Sequence, residues 1–434
     1  MTKRIRAREK DTILQSLRAG VVPNIGLQHI QVGRSSEVEA LLNDIERVKD
    51  DGAFIRFIIG EYGSGKTFFL HLIRTISHQK GLVTIHGDLS PDRRLQASGG
   101  QARSLYSELI KNMSTKTSPN GGAIKNVVEK FIGKLLSESS DDNSVDDLIH
   151  STLTPIRDMV GGYDFVEVIK CYWEGHDTGN EELKSDAIRW LRAEYSTKTD
   201  AKNALGVRTI INDDNFYDQI KLLARFVKVA GYQGLIVGID EMVNLYKLHS
   251  TIARNNNYEQ ILRILNDCLQ GNVEGFGFLM NGTPEFLMDS RKGLYSYDAL
   301  QTRLSQNSFA EKEGLKDFSG PIIKLDNLQP EDIYVLLVNI RNVFASYDEN
   351  KYLISDEGIK SFMHHCQNKI GASYFQTPRN TIKEFVHLLS TLEQNKDVSW
   401  EMLIDKIDIK EDVESVLEGD EETEADDDLS SFSL

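Results

Sequence analysis

Apolar positions along the chain change period in a way that separates helices from strands. Residues 7–19 (AREKDTILQSLRA) have helical spacing and stop at Gly20 and Pro23, residue types that end helices. Residues 34–49 (RSSEVEALLNDIERVK) place Val38, Leu41, Leu42 and Ile45 on one helical face, with Ser35 or Ser36 as the expected cap. FIRFII at 54–59 is a strand-like run, followed by a Gly-rich turn, a helix through FFLHLIRTISHQ and a second strand, LVTIHG, at 82–87. That order predicts a βαβ unit over 54–87 with a right-handed crossover.

The next buried-looking strand is LIVGI at 235–239, and 147 residues separate it from the second. Most of them read as helix: 103–114, 122–137, 145–159, 163–174, 180–193 and 213–230. The pattern predicts a mainly helical insertion over 101–230, dividing an α/β core into 21–100 and 231–327. After LIVGI come a helix at 256–270 and strands at 275–280 (GFGFLM) and 321–325 (PIIKL). Helices at 330–346, 355–369 and 378–394 then predict a small helical domain over 328–408. The expected class is α/β with a parallel sheet.

Composition narrows this picture. The chain has 434 residues, 40% hydrophobic and 27% charged, enough for two or three globular domains. It has no run of eighteen apolar residues, and its first ten residues, MTKRIRAREK, lack the apolar stretch of a secretory signal. Cys171, Cys268 and Cys366 are too few and too scattered for a disulfide framework. A cytoplasmic location is the expectation. Net charge is −16, but residues 411–434 hold eleven acids and no base, which leaves 55 acids against 50 bases elsewhere. The tail (409–434 as a segment) cannot bury enough apolar surface to offset ordering entropy and is expected to be disordered. A nearly balanced body does not exclude nucleic acid, because a local basic surface still binds phosphates.

Residues 60–67 read Gly60-Glu61-Tyr62-Gly63-Ser64-Gly65-Lys66-Thr67, a complete GxxxxGK[ST] between a strand and a helix. Glycines let successive backbone N–H groups turn inward around a β-phosphate, and the following helix adds its positive end. Lys66 is expected to bridge β- and γ-phosphates, Thr67 to offer its hydroxyl to Mg²⁺, and Phe68 to follow directly at the nucleotide. The competing reading is a chance Gly-rich turn. Downstream, LIVGIDE delivers Asp240 and Glu241 at the C-terminal end of a strand, where ligands of open α/β sheets bind. Asp240 is the expected Mg²⁺ residue and Glu241 the general base for an attacking water. The plainer alternative is a strand ended by two solvated acids. Gly238 stands where a branched aliphatic residue is usual, and a close backbone neighbour is one explanation. Mg²⁺ is the only metal implied: adjacent His364, His365 and Cys366 lack zinc-ligand spacing and read as ordinary helix residues.

With those motifs in place, the chain resembles AAA+ ATPases. In that family the strand after the second acidic motif ends in a polar sensor, and Asn281 in FLMNGTPEF matches it. The resemblance assigns Arg303 (YDALQTRL) as an arginine finger acting on a neighbouring subunit and Arg379 (TPRNTIKEF) as a second sensor. It also makes GLQHIQVGRSSEVEALL at 26–42, with Val32 and Arg34, the adenine-pocket segment. It implies a three-layer P-loop core, a helical lid and a ring-forming homo-oligomer. More narrowly, SLRAGVVPNIGLQHIQVGRSSEVEALL, FIIGEYGSGKTFFL, HGDLSPDRRL, GYQGLIVGIDE and NGTPEF resemble the ATP-binding proteins of bacterial phage-exclusion (BREX) systems, over about residues 12–390. What this implies is an antiviral ATPase working on DNA or beside a helicase or other defence protein.

Three further segments bear on partners. Lys3, Arg4, Arg6, Arg8 and Lys10 against the single acid Glu9 make a basic arm suited to sequence-independent, salt-sensitive phosphate contacts, or simply a solvated terminus. Arg93 and Arg94 in SPDRRL occupy a place where AAA+ rings often carry substrate loops. The C-terminal EADDDLSSFSL, with Leu429, Phe432 and Leu434 after its acids, reads as a docking peptide or as a solubilising tail. Two functions follow. One is an oligomeric Mg²⁺-ATPase acting on DNA or on a DNA-acting partner. The other is an ATP-gated scaffold or signalling switch with slow turnover and no DNA contact.

Overall fold

A computed structural model describes residues 4–140, 144–370 and 378–407 of the chain. The apolar runs form β1 (Ala53–Ile59), β2 (Val83–Asp88), β3 (Leu235–Asp240), β4 (Phe276–Gly282) and β5 (Ile322–Lys324). All pair in parallel, in the order β2-β3-β4-β1-β5. Parallel strands need helical crossovers that cover both faces, which is why these strands are apolar almost throughout. β4 lies between β1 and β3, its Ile59↔Gly282 and Val237↔Phe278 registers tying the two motif-bearing strands together. Asn281 at its end is thereby set between the Gly-rich turn and Asp240.

The helices begin with α1 (Ala7–Arg18), α2 (Ser35–Lys49) and α3 (Lys66–Gln79). Between β2 and β3 come α4 (Gln101–Lys111), α5 (Ile124–Glu138), α6 (Val145–Arg157), α7 (Gly162–Asp177), α8 (Glu181–Leu191), α9 (Lys198–Leu205) and α10 (Phe216–Val229). α11 (Val243–Tyr246) and α12 (Thr251–Gln270) precede β4, and α13 (Pro284–Met288), α14 (Asp298–Leu304) and α15 (Ser308–Lys312) precede β5. α16 (Pro330–Phe344), α17 (Asp356–Ile370), α18 (Pro378–Gln394) and α19 (Trp400–Ile404) end the described chain.

One sheet face packs Phe54, Ile58, Ile236 and Leu279 against Leu41 and Ile45 of α2 and Phe69 and Ile73 of α3. The other face packs Phe57, Ile85, Val237 and Phe278 into a core continuous with Phe131, Tyr172, Trp190 and Phe226 of the helices between β2 and β3. A third core joins Ile13 and Leu17 of α1 to Leu337, Phe362 and Phe385 of α16, α17 and α18. The first helix therefore packs with the last helices, and Arg18 donates to Ser390 Oγ at 2.9 Å. Among the described residues no helix is long and apolar enough to cross a membrane.

Three local expectations are corrected. Neither Ser35 nor Ser36 caps α2: the cap position is Arg34, in left-handed backbone (φ 61°), with no side-chain cap bond. α12 begins at Thr251, ahead of the expected 256, because the Ser250 hydroxyl accepts from Ala253 N–H and starts the helix there. Gly238 has no close backbone neighbour: a Cβ there would meet His86 Cβ at 3.6 Å and Ile85 O at 3.9 Å, ordinary contacts. Lys3, the acidic tail and its apolar tip lie outside the described residues.

Candidate nucleotide site

β1 ends at Ile59 and the chain turns through residues 60–65 into α3. Gly60 is required by close approach, since a Cβ would lie 2.4 Å from Ser64 Oγ and 2.8 Å from Leu325 O. Gly63 and Gly65 take φ of 80° and 86°, which side-chain-bearing residues resist. No side chain caps α3, so its first N–H groups remain available to an anion. Lys66 Nζ donates to Gly60 O at 2.7 Å and Glu61 O at 2.9 Å, folded over the turn it follows. Burial lowers its pKa, opposed by the charges of Asp240 and Glu241.

β3 carries the acids to the same place. Thr67 Oγ1 donates to Asp240 Oδ2 at 3.0 Å, joining two motifs 173 residues apart. Asp240 Oδ1 accepts Glu241 N–H at 2.8 Å, and Glu241 adopts left-handed backbone (φ 58°), a strained state that a glutamate holds only when its surroundings enforce it. Burial raises the Glu241 pKa, reinforced by Asp240 and Asp88 and opposed by Lys66 and Lys247. Asn281 is 1% exposed, and neither polar atom of its amide has a hydrogen-bond partner. Buried polar groups are nearly always paired, so an unpaired amide in the wall of this cleft marks a place for a polar ligand or water.

The cleft measures about 320 Å³. The turn and the acids line one end, and Val21, Val22, Pro23, Ile30, Val32, Leu336 and Ile382 form an apolar wall. Arg34 closes the corner, donating to Ser64 O at 3.1 Å and to Asp326 O. Arg379 enters from the first turn of α18, its Nη1 donating to Tyr62 Oη at 3.2 Å and its guanidinium 5.8 Å from the Tyr62 ring centre. Phe68 lines the cleft as well. Most of the sequence-derived set thus converges on one cavity; Gly60 and Glu61 sit in the turn without lining it, and Arg303, exposed on α14, donates to Ala299 O of its own helix at 2.9 Å and lines no part of the cleft. Sequence reasoning missed Val21, Val22, Pro23, Leu336 and Ile382. The run VVP, apolar in a loop, was the available signal for the first three; the other two are indistinguishable from core positions of their helices.

Thr67 and Asp240 also satisfy the chemistry of a hard cation, two oxygen donors already in contact. Among the described residues no group of three or more His, Cys, Asp or Glu side chains is placed to hold a metal, so a cation here would complete its shell with phosphate oxygens and water. Elsewhere, Arg93 pairs with Glu108 at 3.5 Å, His365 Nε2 contacts Ile407 O and His364 Nδ1 contacts Asn368.

No curated protein matches the chain. A family model does, over residues 5–408, a span that contains the Gly-rich turn, both acids, Asn281 and Arg379. The chain belongs to the BREX system ATP-binding protein BrxC/D family, the ATP-binding proteins of BREX antiphage systems.

Proposed function

We propose that the protein is an oligomeric Mg²⁺-dependent ATPase that couples ATP binding and hydrolysis to action on DNA or on a DNA-acting partner such as a helicase. The observation that carries this reading is the 3.0 Å bond between Thr67 and Asp240, with Glu241 and the unpaired Asn281 amide beside it. The adenine and ribose occupy the apolar end between Val32 and the α16–α18 helices, which serve as a lid. The phosphates take the N–H groups of the Gly60–Thr67 turn, and Lys66 leaves the carbonyls of Gly60 and Glu61 for the β- and γ-phosphates. Thr67 and Asp240 would hold Mg²⁺, which would supply positive charge to offset that of the phosphates. Asn281 orients a water. Glu241 takes its proton as the water oxygen bonds to the γ-phosphorus and the bond to the bridging oxygen breaks, leaving ADP and inorganic phosphate. Arg379 stabilises the charge from the lid, and Arg303 does so from a second copy of the chain.

Glu241→Gln tests the reading. The variant binds ATP with affinity close to wild type in calorimetry, while turnover falls roughly 10²–10⁴-fold, the usual worth of a general base. A well-folded wild-type protein that takes up no nucleotide overturns the proposal. The alternative, a slow ATP-gated switch without DNA contact, is favoured by the Lys66 bonds to its own turn, which must open before phosphate is gripped. Stimulation of turnover by DNA supports the first reading, and a DNA-independent slow rate the second.

A further inference from the structure

A second cavity, of about 280 Å³, lies directly behind the catalytic acids and shares Thr67, Asp240 and Glu241 with the nucleotide cleft. Its shape follows from the element periods. On α3, Thr67, Leu70, His71 and Arg74 fall at i, i+3, i+4 and i+7, one stripe that lines the cavity, beside the Phe69 and Ile73 stripe that packs on the sheet. Arg74 is therefore about 10 Å along the axis from Thr67, at about 1.5 Å per residue. Beneath that stripe, Asp88↔Asp240 and His86↔Gly238 are register partners on β2 and β3. The cavity runs from the acids, over Gly238, to Arg74 and His86. At Gly238 a branched side chain would project into this passage; glycine leaves it open with only ordinary contacts around its missing Cβ.

The lining holds one cation, Arg74, at its inner end, with Asp88 and Glu108 on the β2 and α4 side. Arg74 Nη1 donates to His86 Nε2 at 3.0 Å, a neutral partner. Burial lowers the Arg74 pKa and no acid opposes it. His71 Nδ1 is buried with no hydrogen-bond partner. The acid nearest that end on α4, Glu108, is taken by Arg93 at 3.5 Å and Lys111 at 3.8 Å. A half-buried guanidinium without a carboxylate, beside an unpaired imidazole in a cavity far larger than the ~30 Å³ of one water, is suited to an oxyanion.

We propose that this cavity receives the inorganic phosphate cleaved from ATP, with Arg74 as its counter-ion and Gly238 keeping the passage from Glu241 open. This rests on the hydrolysis proposed above. Phosphate formed beside Glu241 leaves away from ADP, through the rear of the site and toward the β2 edge, so that ADP and phosphate depart by separate routes.

The test has two arms. In the first, protein saturated with ADP and Mg²⁺, which occupies the Gly-rich turn, is titrated with inorganic phosphate by calorimetry. Wild type binds; Arg74→Ala weakens binding about tenfold or more, the worth of a charge-assisted hydrogen bond. In the second, rapid quench reports cleaved phosphate and a fluorescent phosphate sensor reports free phosphate. Gly238→Val leaves the single-turnover rate of cleavage in the quench intact and slows the appearance of free phosphate about tenfold, making product release limiting; Gly238→Ala, whose Cβ fits without clash, gives a smaller delay and guards against misfolding. Identical free-phosphate traces in wild type, Arg74→Ala and Gly238→Val overturn the proposal, as does absence of phosphate binding to the ADP-loaded wild type. If the quench finds no phosphate cleaved by wild type, the hydrolysis reading fails, and retained phosphate binding that Arg74→Ala abolishes still establishes an oxyanion site.

Discussion

Asn281 is a costly residue to bury as it stands. An amide enclosed without partners is unfavourable by about 1–3 kcal/mol, and its replacement by alanine removes that penalty while leaving a small void of comparable cost. The expected outcome for Asn281→Ala is a melting midpoint within a few degrees of wild type and a turnover reduced about 10²-fold, the usual effect of deleting one preorganised polar group. A large loss of stability with unchanged turnover, read by calorimetry and steady-state assay, would identify Asn281 as structural. The residue types at the site were legible in the sequence, because a phosphate turn needs glycine, lysine and a hydroxyl at set spacing. The missing partner of Asn281 was not, since it depends on which side chains surround β4.

At the scale of elements, two packing choices govern stability. Arg56 interrupts the apolar run of β1 and is 7% exposed, its Nε and Nη2 gripping the Asp44 carboxylate of α2 at 2.6 and 3.0 Å. Its Nη1 also donates to Phe318 O at 2.8 Å, fixing the approach to β5. Arg56→Met leaves buried Asp44 with only the exposed Arg47 at 3.7 Å as a counter-charge, for an expected loss of about 3 kcal/mol in denaturant unfolding. The second choice is the histidine cluster between α3 and β2. Burial, followed by the Arg74 charge, pushes the His71 and His78 pKa values down to about 4 and that of His86 to about 3. These groups bind fewer protons folded than unfolded between their ordinary value near 6.5 and about 4. Their stabilising contribution is complete above pH ~6.5 and falls as pH drops through that window, by up to about 1.4 kcal/mol per pH unit for each proton. Urea midpoints between pH 7 and 4 check this; His78→Gln, which keeps an amide near the Thr84 hydroxyl, flattens the curve. The helices themselves were readable from periodicity. The start of α12 and the uncapped start of α2 were not, because capping depends on backbone angles that hydrophobic spacing does not encode.

For the whole molecule, the position of Arg303 outside its own cleft gives the sharpest prediction. In the proposed assembly it completes a neighbour's site, so specific turnover rises with protein concentration. Arg303→Ala lowers turnover on the order of 10³-fold, the lower range for a trans-acting arginine, and abolishes the concentration dependence. An Arg303→Ala protein with wild-type turnover at every concentration would remove the arginine from the mechanism and leave the oligomer without its catalytic argument. Phosphate contacts by the basic N-terminal residues would add a salt-sensitive affinity for DNA of any sequence, measurable by anisotropy across a salt series.

Local chemistry is written in order along the chain, and that is why the phosphate turn, the acidic pair, the parallel-strand runs and the helical blocks could all be read from residues alone. Spatial neighbourhood is not written that way. Only the folded sheet decided that β4 separates β1 from β3, that Thr67 meets Asp240, that α1 joins the C-terminal helices, and that Gly238 lines a cavity. Each of these depends on strand order and helix docking, which sum many weak contacts between residues far apart in sequence, and no single segment carries that sum.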